Sequence, residues 1–181
     1  MTYRTLPHLC RLLCALFCLG VAILSCSKAH ALEGEWEIGA MPMALIMPQG
    51  DTYGGGLEVF GRYAVTDGLK INAAFAASAN KFILTGDILG LYYARIGVIY
   101  SLDILEWVPS AGLHISALFS EHERHRWTKS DNGMGIDFDL MVQYRGIRNL
   151  GIGLGFTYHL VFVGRDYMTI GLSFSWFSGD F

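Results

Sequence analysis

The sequence predicts an all-β fold: an eight-stranded antiparallel up-and-down transmembrane β-barrel, preceded by a cleavable signal peptide. Three features predict this fold. A short apolar run lies near the N-terminus, eight later segments alternate between apolar and polar residues, and the polar positions carry charges of both signs. The chain of 181 residues is 52% hydrophobic and only 16% charged, whereas a soluble domain has about 25% charged residues.

The first 31 residues are typical of a secretory signal peptide. Arg4 and Arg11 precede the apolar run 12–24, and small residues lead to Ala31, which suits a cleavage site. The run is shorter than the roughly 20 residues that cross a bilayer as a helix, which disfavours a helical anchor. The sequence ILSC at 23–26 resembles a lipobox, so lipidation of Cys26 stays open. The chain thus divides into a signal peptide at 1–31 and a barrel domain at 32–181.

All four cysteines, at positions 10, 14, 18 and 26, lie in the signal segment. We therefore expect no disulfide and no thiolate site in residues 32–181. Removing Arg4, Arg11 and Lys28 from the 13 basic residues leaves 10, against 16 acidic residues that all lie beyond residue 31. This excess of acidic residues argues against a nucleic-acid partner.

The eight alternating segments span 34–45, 55–66, 69–79, 89–102, 108–120, 134–146, 149–163 and 168–177. In each of them apolar side chains recur at every second residue, which predicts a strand with one apolar face and one polar or small face. No segment has the 3.6-residue period of a helix. In the first four, the apolar face carries Trp36 and Ile38, Leu57 and Val59, Ile71 and Phe75, and Ile96 and Val98.

The last four segments alternate most regularly. In 134–146, Ile136, Phe138 and Leu140 take the even positions and alternate with Asp137 and Asp139. In 149–163, small and polar residues lie opposite the apolar ones, beginning with three glycines. The apolar face of the remaining segments carries Leu113 and Ile115 in the fifth, Leu154 and Phe156 in the seventh, and Leu172 and Phe174 in the eighth.

The connections between the segments alternate in length. Loops 46–54, 80–88 and 121–132 are long, and the turns between them are shorter. Long loops at one end and short turns at the other are typical of transmembrane barrels, and this pattern predicts both termini in the periplasm. Pro42 and Pro109 are expected near strand ends or at bulges, because a proline cannot donate a ladder hydrogen bond.

The polar face contains charges that a dry protein core could not hold. A soluble β-barrel or sandwich, which is the alternative fold, would fill its interior with apolar side chains. In a narrow lumen the charges can pair, and we expect Asp137 and Asp139 to pair with Arg95, Arg145 or Lys70. Such a plugged lumen predicts little or no open pore. The predicted lumen charge network consists of Glu37, Glu58, Arg62, Lys70, Arg95, Asp137, Asp139 and Arg145.

Aromatic residues fall near the predicted strand ends, at two heights. Amphipathic rings favour both interfaces of a bilayer, so two such bands indicate a membrane-spanning barrel. The predicted aromatic girdle on the periplasmic side consists of Trp36, Tyr63, Tyr100, Trp107, Tyr144 and Trp176. The outer band would consist of Tyr92, Phe119, Tyr158 and Tyr167.

The stretch YYARIGVIYSLDILEWVPSAGLHISA (92–117) and the terminal Phe181 carry a resemblance to a known family. With the strand pattern of 32–181, they resemble the small outer-membrane β-barrels of Gram-negative bacteria: the OmpA transmembrane domain, OmpX and the OmpW-like group. In that family the last strand places an apolar residue at every second position, with the terminal aromatic residue counted as the first. Counted back from Phe181, these positions would be odd-numbered residues. Here the apolar residues of the last segment are even-numbered. The strand therefore ends near Phe177, or a bulge shifts its register.

The resemblance implies a non-enzymatic protein of the cell outer membrane with a structural or surface-interaction role. Its implied partners are outer-membrane lipid, lipopolysaccharide and the assembly machinery that reads the C-terminal strand, and a monomer is expected. The alternative is a narrow channel for small solutes, as in OmpW-like barrels. A third and weaker alternative is an envelope lipid-modifying enzyme that resembles lipid A deacylases, which use a His-x-Ser pair like His114 and Ser116.

The pair His114 and Ser116 is expected to lie in the lumen, whereas the deacylase pair faces lipid, so we predict no catalytic residues. The histidines His122 and His125 in 121–132 lack a rigid third ligand, and we predict neither a metal nor a cofactor. The same loop is basic. A surface-loop contact to lipopolysaccharide phosphates is predicted for Arg124, Arg126, Trp127 and Lys129.

Overall fold

A computed structural model of the chain describes residues 33–47, 52–83, 86, 88–102, 106–122, 133–147, 149–162 and 166–178. The predicted signal peptide with Cys26, the basic loop residues Arg124, Arg126, Trp127 and Lys129, and Phe181 lie outside the described residues. Within the described ranges, no helix is long and apolar enough to cross a membrane.

Eight strands make up the described chain, and their bounds differ from the predicted segments by three residues or fewer. The strands are β1 (Trp36–Met47), β2 (Thr52–Ala64), β3 (Leu69–Phe82), β4 (Ile88–Ser101), β5 (Trp107–His122), β6 (Gly133–Ile147), β7 (Leu150–Val161) and β8 (Tyr167–Phe177).

Each strand pairs antiparallel with its neighbours in the sequence, and β1 pairs with β8 to close the barrel. Closure leaves no open edge, so nearly all backbone groups of the wall can find a partner within the sheet, as a lipid environment requires. The start of β1, the end of β8 and the β2–β3, β4–β5 and β6–β7 connections lie at one end, here named the terminal end. The opposite end, with the connections after β1, β3, β5 and β7, is named the loop end.

The side chains alternate between lipid-facing and interior positions, as the period of two predicts. On β5, Ile115 is 60% exposed while the adjacent His114 is 1% exposed. On β6, Leu140 is 60% exposed while Asp139 is 7% exposed. Most large apolar side chains therefore lie outside, and the buried charged ones lie inside, which is the reverse of a soluble protein and the arrangement that an apolar solvent favours.

The expected position of Pro42 is wrong, and that of Pro109 is correct. Pro109 is the third residue of β5 and so lies near its end. Pro42 lies in the middle of β1, paired with Leu57 of β2, and its β8 ladder is interrupted between Ala40 and Met43 without a change of register. Even-numbered residues of β1 turn their backbone toward β8, as the bond from Ser178 N to the Trp36 carbonyl (2.9 Å) indicates. The missing N–H of Pro42 thus removes one bond from this seam rather than ending the strand.

The last strand ends at Phe177, in agreement with the first of the two alternatives for its register. Phe177 points into the barrel, where it is fully buried. Its carbonyl accepts a bond from Nδ2 of Asn149 (2.8 Å), and its N–H donates to the Asn149 carbonyl (3.0 Å). Asn149 adopts a left-handed conformation (φ 58°), which asparagine tolerates better than most residues. The turn before β7 is in this way joined to the end of β8.

The barrel interior as the candidate functional site

Five charged residues form an interior group at the terminal end, here named the terminal charged group: Glu35, Glu37, Arg62, Lys70 and Arg145. Glu37 is its centre. Its Oε1 lies 2.9 Å from Nη1 of Arg62, and its Oε2 lies 3.2 Å from Nζ of Lys70. Gln143 donates to the same carboxylate at 3.1 Å. One carboxylate thereby joins β1, β2, β3 and β6.

Arg145 closes the group toward the terminal end. Its Nη1 lies 3.5 Å from Oε2 of Glu35, and its Nη2 lies 3.7 Å from Oε2 of Glu37. Its guanidinium carbon lies 4.0 Å from the centre of the Phe177 ring, and Nζ of Lys70 lies 5.7 Å from the same ring. The buried ring is therefore held by two cations through cation–π contacts.

A second group, here named the central charged group, lies further along the lumen and consists of Glu58, Arg95, His114, Asp137, Asp139 and His159. Arg95 donates from Nη2 to Glu58 (2.6 Å) and from Nη1 to Asp139 (2.5 Å). The Tyr93 hydroxyl donates to the other oxygen of Glu58 at 2.7 Å. A single guanidinium thus holds two carboxylates on opposite walls, β2 and β6.

The pairing expected for Asp139 is correct, whereas that expected for Asp137 is wrong. Asp137 accepts a hydrogen bond from the Ser116 hydroxyl (2.8 Å) and lies 3.0 Å from Nδ1 of His159. The register explains this difference, because Asp137 lies directly opposite His114 on β5 and His159 on β7. Arg145 is eight residues away on the same strand, which is about 27 Å in an extended chain.

The pair His114 and Ser116 lies inside the barrel, as expected, but its partners do not suit catalysis. Ser116 donates to Asp137, while Nε2 of His114 contacts Nδ2 of Asn72 at 2.9 Å. Nucleophilic catalysis needs the imidazole next to the hydroxyl so that it can accept the proton. Here the carboxylate occupies that place. In the part of the chain that the structure describes, no group of three or more His, Cys, Asp or Glu side chains is placed to hold a metal ion.

The polar lumen that the sequence predicts occupies only part of the barrel. Toward the loop end the interior is filled by a cluster here named the apolar layer: Met43, Leu45, Met47, Ala76, Leu91, Tyr93, Leu118 and Tyr167. On β1 the alternation that puts Glu37 inside also puts Met43, Leu45 and Met47 inside. Tyr167 lies toward the loop end, as expected for the outer aromatic band, but the expectation that it faces the membrane is wrong. On β8 the even-numbered Ile170 faces lipid, so the odd-numbered Tyr167, three residues earlier, points inward.

Three rings cross the lumen at the boundary between the apolar layer and the central charged group. His159 stacks on Tyr167 with ring centres 4.0 Å apart and planes 10° from parallel. Tyr93, which extends from the opposite wall, lies 5.0 Å from the His159 ring and 6.2 Å from the Tyr167 ring. These contacts connect β4 with β7 and β8 through the interior rather than through the wall.

The predicted periplasmic girdle residues lie on or near the outer surface at the terminal end. Trp36 packs against Tyr63 with ring centres 4.8 Å apart, and Trp107 packs against Tyr144 at 5.0 Å. Trp176 faces outward on β8, and Tyr100 is half-buried beside Leu69 on β3. At the other end Tyr92 and Phe119 face each other across β4 and β5.

Sequence reasoning missed four interior residues that complete the charged groups. Glu35 lies within the predicted first segment, on the same face as Glu37, but it is not part of the predicted network. The predicted network contains only Asp, Glu, Lys and Arg residues. It therefore leaves out Asn72, Tyr93 and His159. Their odd or even position on each strand was the available signal, because it assigns the side chain to the interior once one neighbour is known to face lipid.

The structure therefore defines a class: an eight-stranded transmembrane β-barrel with an apolar exterior, of the outer-membrane type. Solved barrels share this fold. Neisserial surface protein A is similar with a TM-score of 0.60 at 16% identity, covering 79% of this chain and 94% of that protein. The attachment invasion locus protein Ail of Yersinia pestis has a TM-score of 0.57 at 15% identity, covering 81% and 99%. OprG of Pseudomonas aeruginosa has a TM-score of 0.62 at 10% identity, covering 84% and 100%.

No protein-family profile matches the chain, and a comparison with curated protein sequences finds no significant match. At 10–16% identity the solved structures establish a common fold. The function has to be argued from the residues of this chain.

Proposed function

We propose that the chain is a non-enzymatic outer-membrane barrel with a structural and surface-interaction role in the cell envelope. The observation that carries the proposal is the filled interior. Arg95 holds Glu58 and Asp139, Glu37 holds Arg62 and Lys70, and the apolar layer fills the rest. A lumen occupied by packed and ion-paired side chains supports a barrel that braces the membrane and presents its loops.

The outer-membrane location is tested by gel migration. Folded barrels resist detergent until they are heated, so we expect a compact species in the outer-membrane fraction that migrates more slowly after boiling. Absence of the heat-shifted species from that fraction would contradict both the location and the fold. Cross-linking in the same membranes tests whether the barrel is a monomer, as proposed.

The closed lumen is tested by recording from planar bilayers. Eight strands enclose only enough space for side chains, so the proposal predicts no large, stable channel. The alternative function, a narrow channel for small solutes, predicts steps whose size changes when Asp137→Asn and Asp139→Asn are introduced together. The non-enzymatic proposal predicts that Ser116→Ala leaves the acylation of envelope lipids unchanged.

The surface-interaction part of the proposal concerns the basic loop at 121–132. Ail, which has the same fold, has been crystallised with the heparin analogue sucrose octasulfate. A polyanion is also the ligand that Arg124, Arg126 and Lys129 would favour, because guanidinium and ammonium groups pair with sulfate and phosphate oxygens. Lipopolysaccharide phosphates at the cell surface are the natural candidates.

Neutralising Arg124, Arg126 and Lys129 to glutamine should weaken binding of purified lipopolysaccharide in detergent by about tenfold, which corresponds to the loss of about 1.4 kcal/mol. The matched control is Lys81→Gln, which removes one exposed cation near the loop end of β3. Equal binding by the triple variant, the control and the wild type would end this part of the proposal.

A further inference from the structure

The lumen has a loop half, which contains the apolar layer, and a charged half, which contains the terminal and central charged groups. The two halves present different obstacles to an ion. Tyr93 extends from β4, its hydroxyl contacts Sδ of Met43 on β1 at 3.4 Å and Glu58 on β2, and its ring approaches Tyr167 on β8. Leu45 and Leu91, which are fully buried, fill the space on its loop side. The apolar layer therefore reaches from wall to wall with side chains of five strands.

Within the apolar layer there is no described side chain that carries a charge. The neutral polar residues beside it are bonded to the wall or to each other: Ser78 donates to the Leu91 carbonyl (3.4 Å), and Asn80 donates to Ser78 (3.0 Å). An ion that enters this layer would exchange its hydration shell for methyl, thioether and aromatic groups. Apolar constrictions close channels for this reason, even where they are not sterically sealed.

The charged half is also crossed from wall to wall, by Arg95 between Glu58 and Asp139, but the side chains that cross it are charged. Its ion pairs can exchange one partner for another, since each carboxylate lies near more than one donor. Several of its buried polar atoms lack a protein hydrogen-bond partner, including Nε of Arg62, Nε of Arg95 and Oδ2 of Asp137. Buried polar atoms of this kind are usually satisfied by water. The charged half thus offers an ion charged and polar groups that can take the place of its hydration shell.

We propose that the apolar layer, and not the ion-pair network, is the permeability barrier of this barrel. The inference rests on the proposed function only in requiring that the barrel spans a membrane. It locates the barrier within the loop half of the lumen, and it makes the charged groups a polar compartment below that barrier.

The first test compares three variants by single-channel recording in potassium chloride. The barrier variant combines Leu45→Ser with Leu91→Ser, and the pairing variant combines Arg95→Met, Glu58→Gln and Asp139→Asn. The lipid-facing control combines Leu57→Ser with Leu113→Ser, which makes the same chemical change outside the lumen. We expect conductance steps at least about tenfold above the wild-type background for the barrier variant alone.

Two results would overturn the proposal: a folded barrier variant that is silent, or a pairing variant that conducts. Folding and insertion are checked by heat-shifted migration of the same preparations. A wild-type chain that shows no heat-shifted species contradicts the proposed function itself. If the wild type shows that species, the recordings test only whether the apolar layer is the barrier.

A second measurement avoids polar substitutions in the apolar layer. After replacement of the four N-terminal cysteines, Ser175→Cys places a thiol among the charged residues, and Ala76→Cys places one in the apolar layer. Both native side chains are small and buried. The proposal expects a small cationic thiosulfonate to modify position 175 at least about tenfold faster than position 76. Equal rates would contradict it.

Discussion

The loop half and the charged half of the lumen are filled by the same eight strands but are held together by different forces. In the apolar layer, Leu45, Leu91 and Tyr167 pack as they would in a soluble core. In the charged half, Arg95 and Glu37 each connect several strands through buried ion pairs. Packing tolerates the loss of one contact, whereas a buried charge without its partner is expensive. The two halves should therefore respond differently to mutation.

The largest effect is expected from Arg95→Met. The substitution leaves Glu58 and Asp139 buried without their common cation, which should lower the free energy of unfolding by roughly 4 kcal/mol. Urea unfolding in lipid vesicles measures this loss. Adding Glu58→Gln and Asp139→Asn to the same chain should recover most of it. A loss below about 1 kcal/mol for Arg95→Met alone would show that the charged half is not held by this ion pair.

A smaller effect is expected from Leu45→Ala in the apolar layer. Removing a fully buried leucine should cost about 3 kcal/mol, because it leaves a cavity in the apolar layer. The matched control is Leu57→Ala, which removes the same atoms from the lipid-facing surface. The control should lose clearly less in the same unfolding experiment. Equal losses would mean that the apolar layer is not packed as a core.

The smallest effect is expected from Pro42→Ala, at the point on β1 where the two halves meet. The new N–H at position 42 can donate to β8 and complete the interrupted ladder, but the substitution also makes the unfolded chain more flexible. We expect a change of less than about 1 kcal/mol in stability. The amide hydrogen that the substitution creates at position 42 should exchange as slowly as the other ladder amides of β1. Rapid exchange there would contradict the assignment of the gap to the proline.

The strand count, the strand bounds and the direction of the apolar face were predictable because the period of two is regular on β6, β7 and β8. The charged residues were placed inside for the same reason. The apolar layer was not predicted, because Met41, Met43, Leu45 and Met47 make β1 apolar on both faces. Only counting positions from Glu37 along the strand assigns them to the lumen.

Pairing within the lumen was predictable only in part. Asp139 meets Arg95, which was among its three expected partners, whereas Asp137 meets Ser116 and His159. The alternating pattern predicts which residues point inward, but the residue that each of them contacts across the lumen depends on the stagger between strands. That stagger is set by the turns and by the closure of β1 on β8, which no single segment encodes.

The lipid-facing surface has a further consequence for how such a chain diverges. About half of the residues in the strands face membrane lipid, since side chains alternate between the two sides of the wall. Lipid does not distinguish leucine from isoleucine, valine or phenylalanine. Substitutions at these positions can accumulate without loss of the barrel, while interior positions such as Gly153 and Gly171 have no space for even a methyl group. Barrels of this architecture can therefore keep their shape at 10–16% identity. Their relatives are better sought by the pattern of inward residues than by overall sequence similarity.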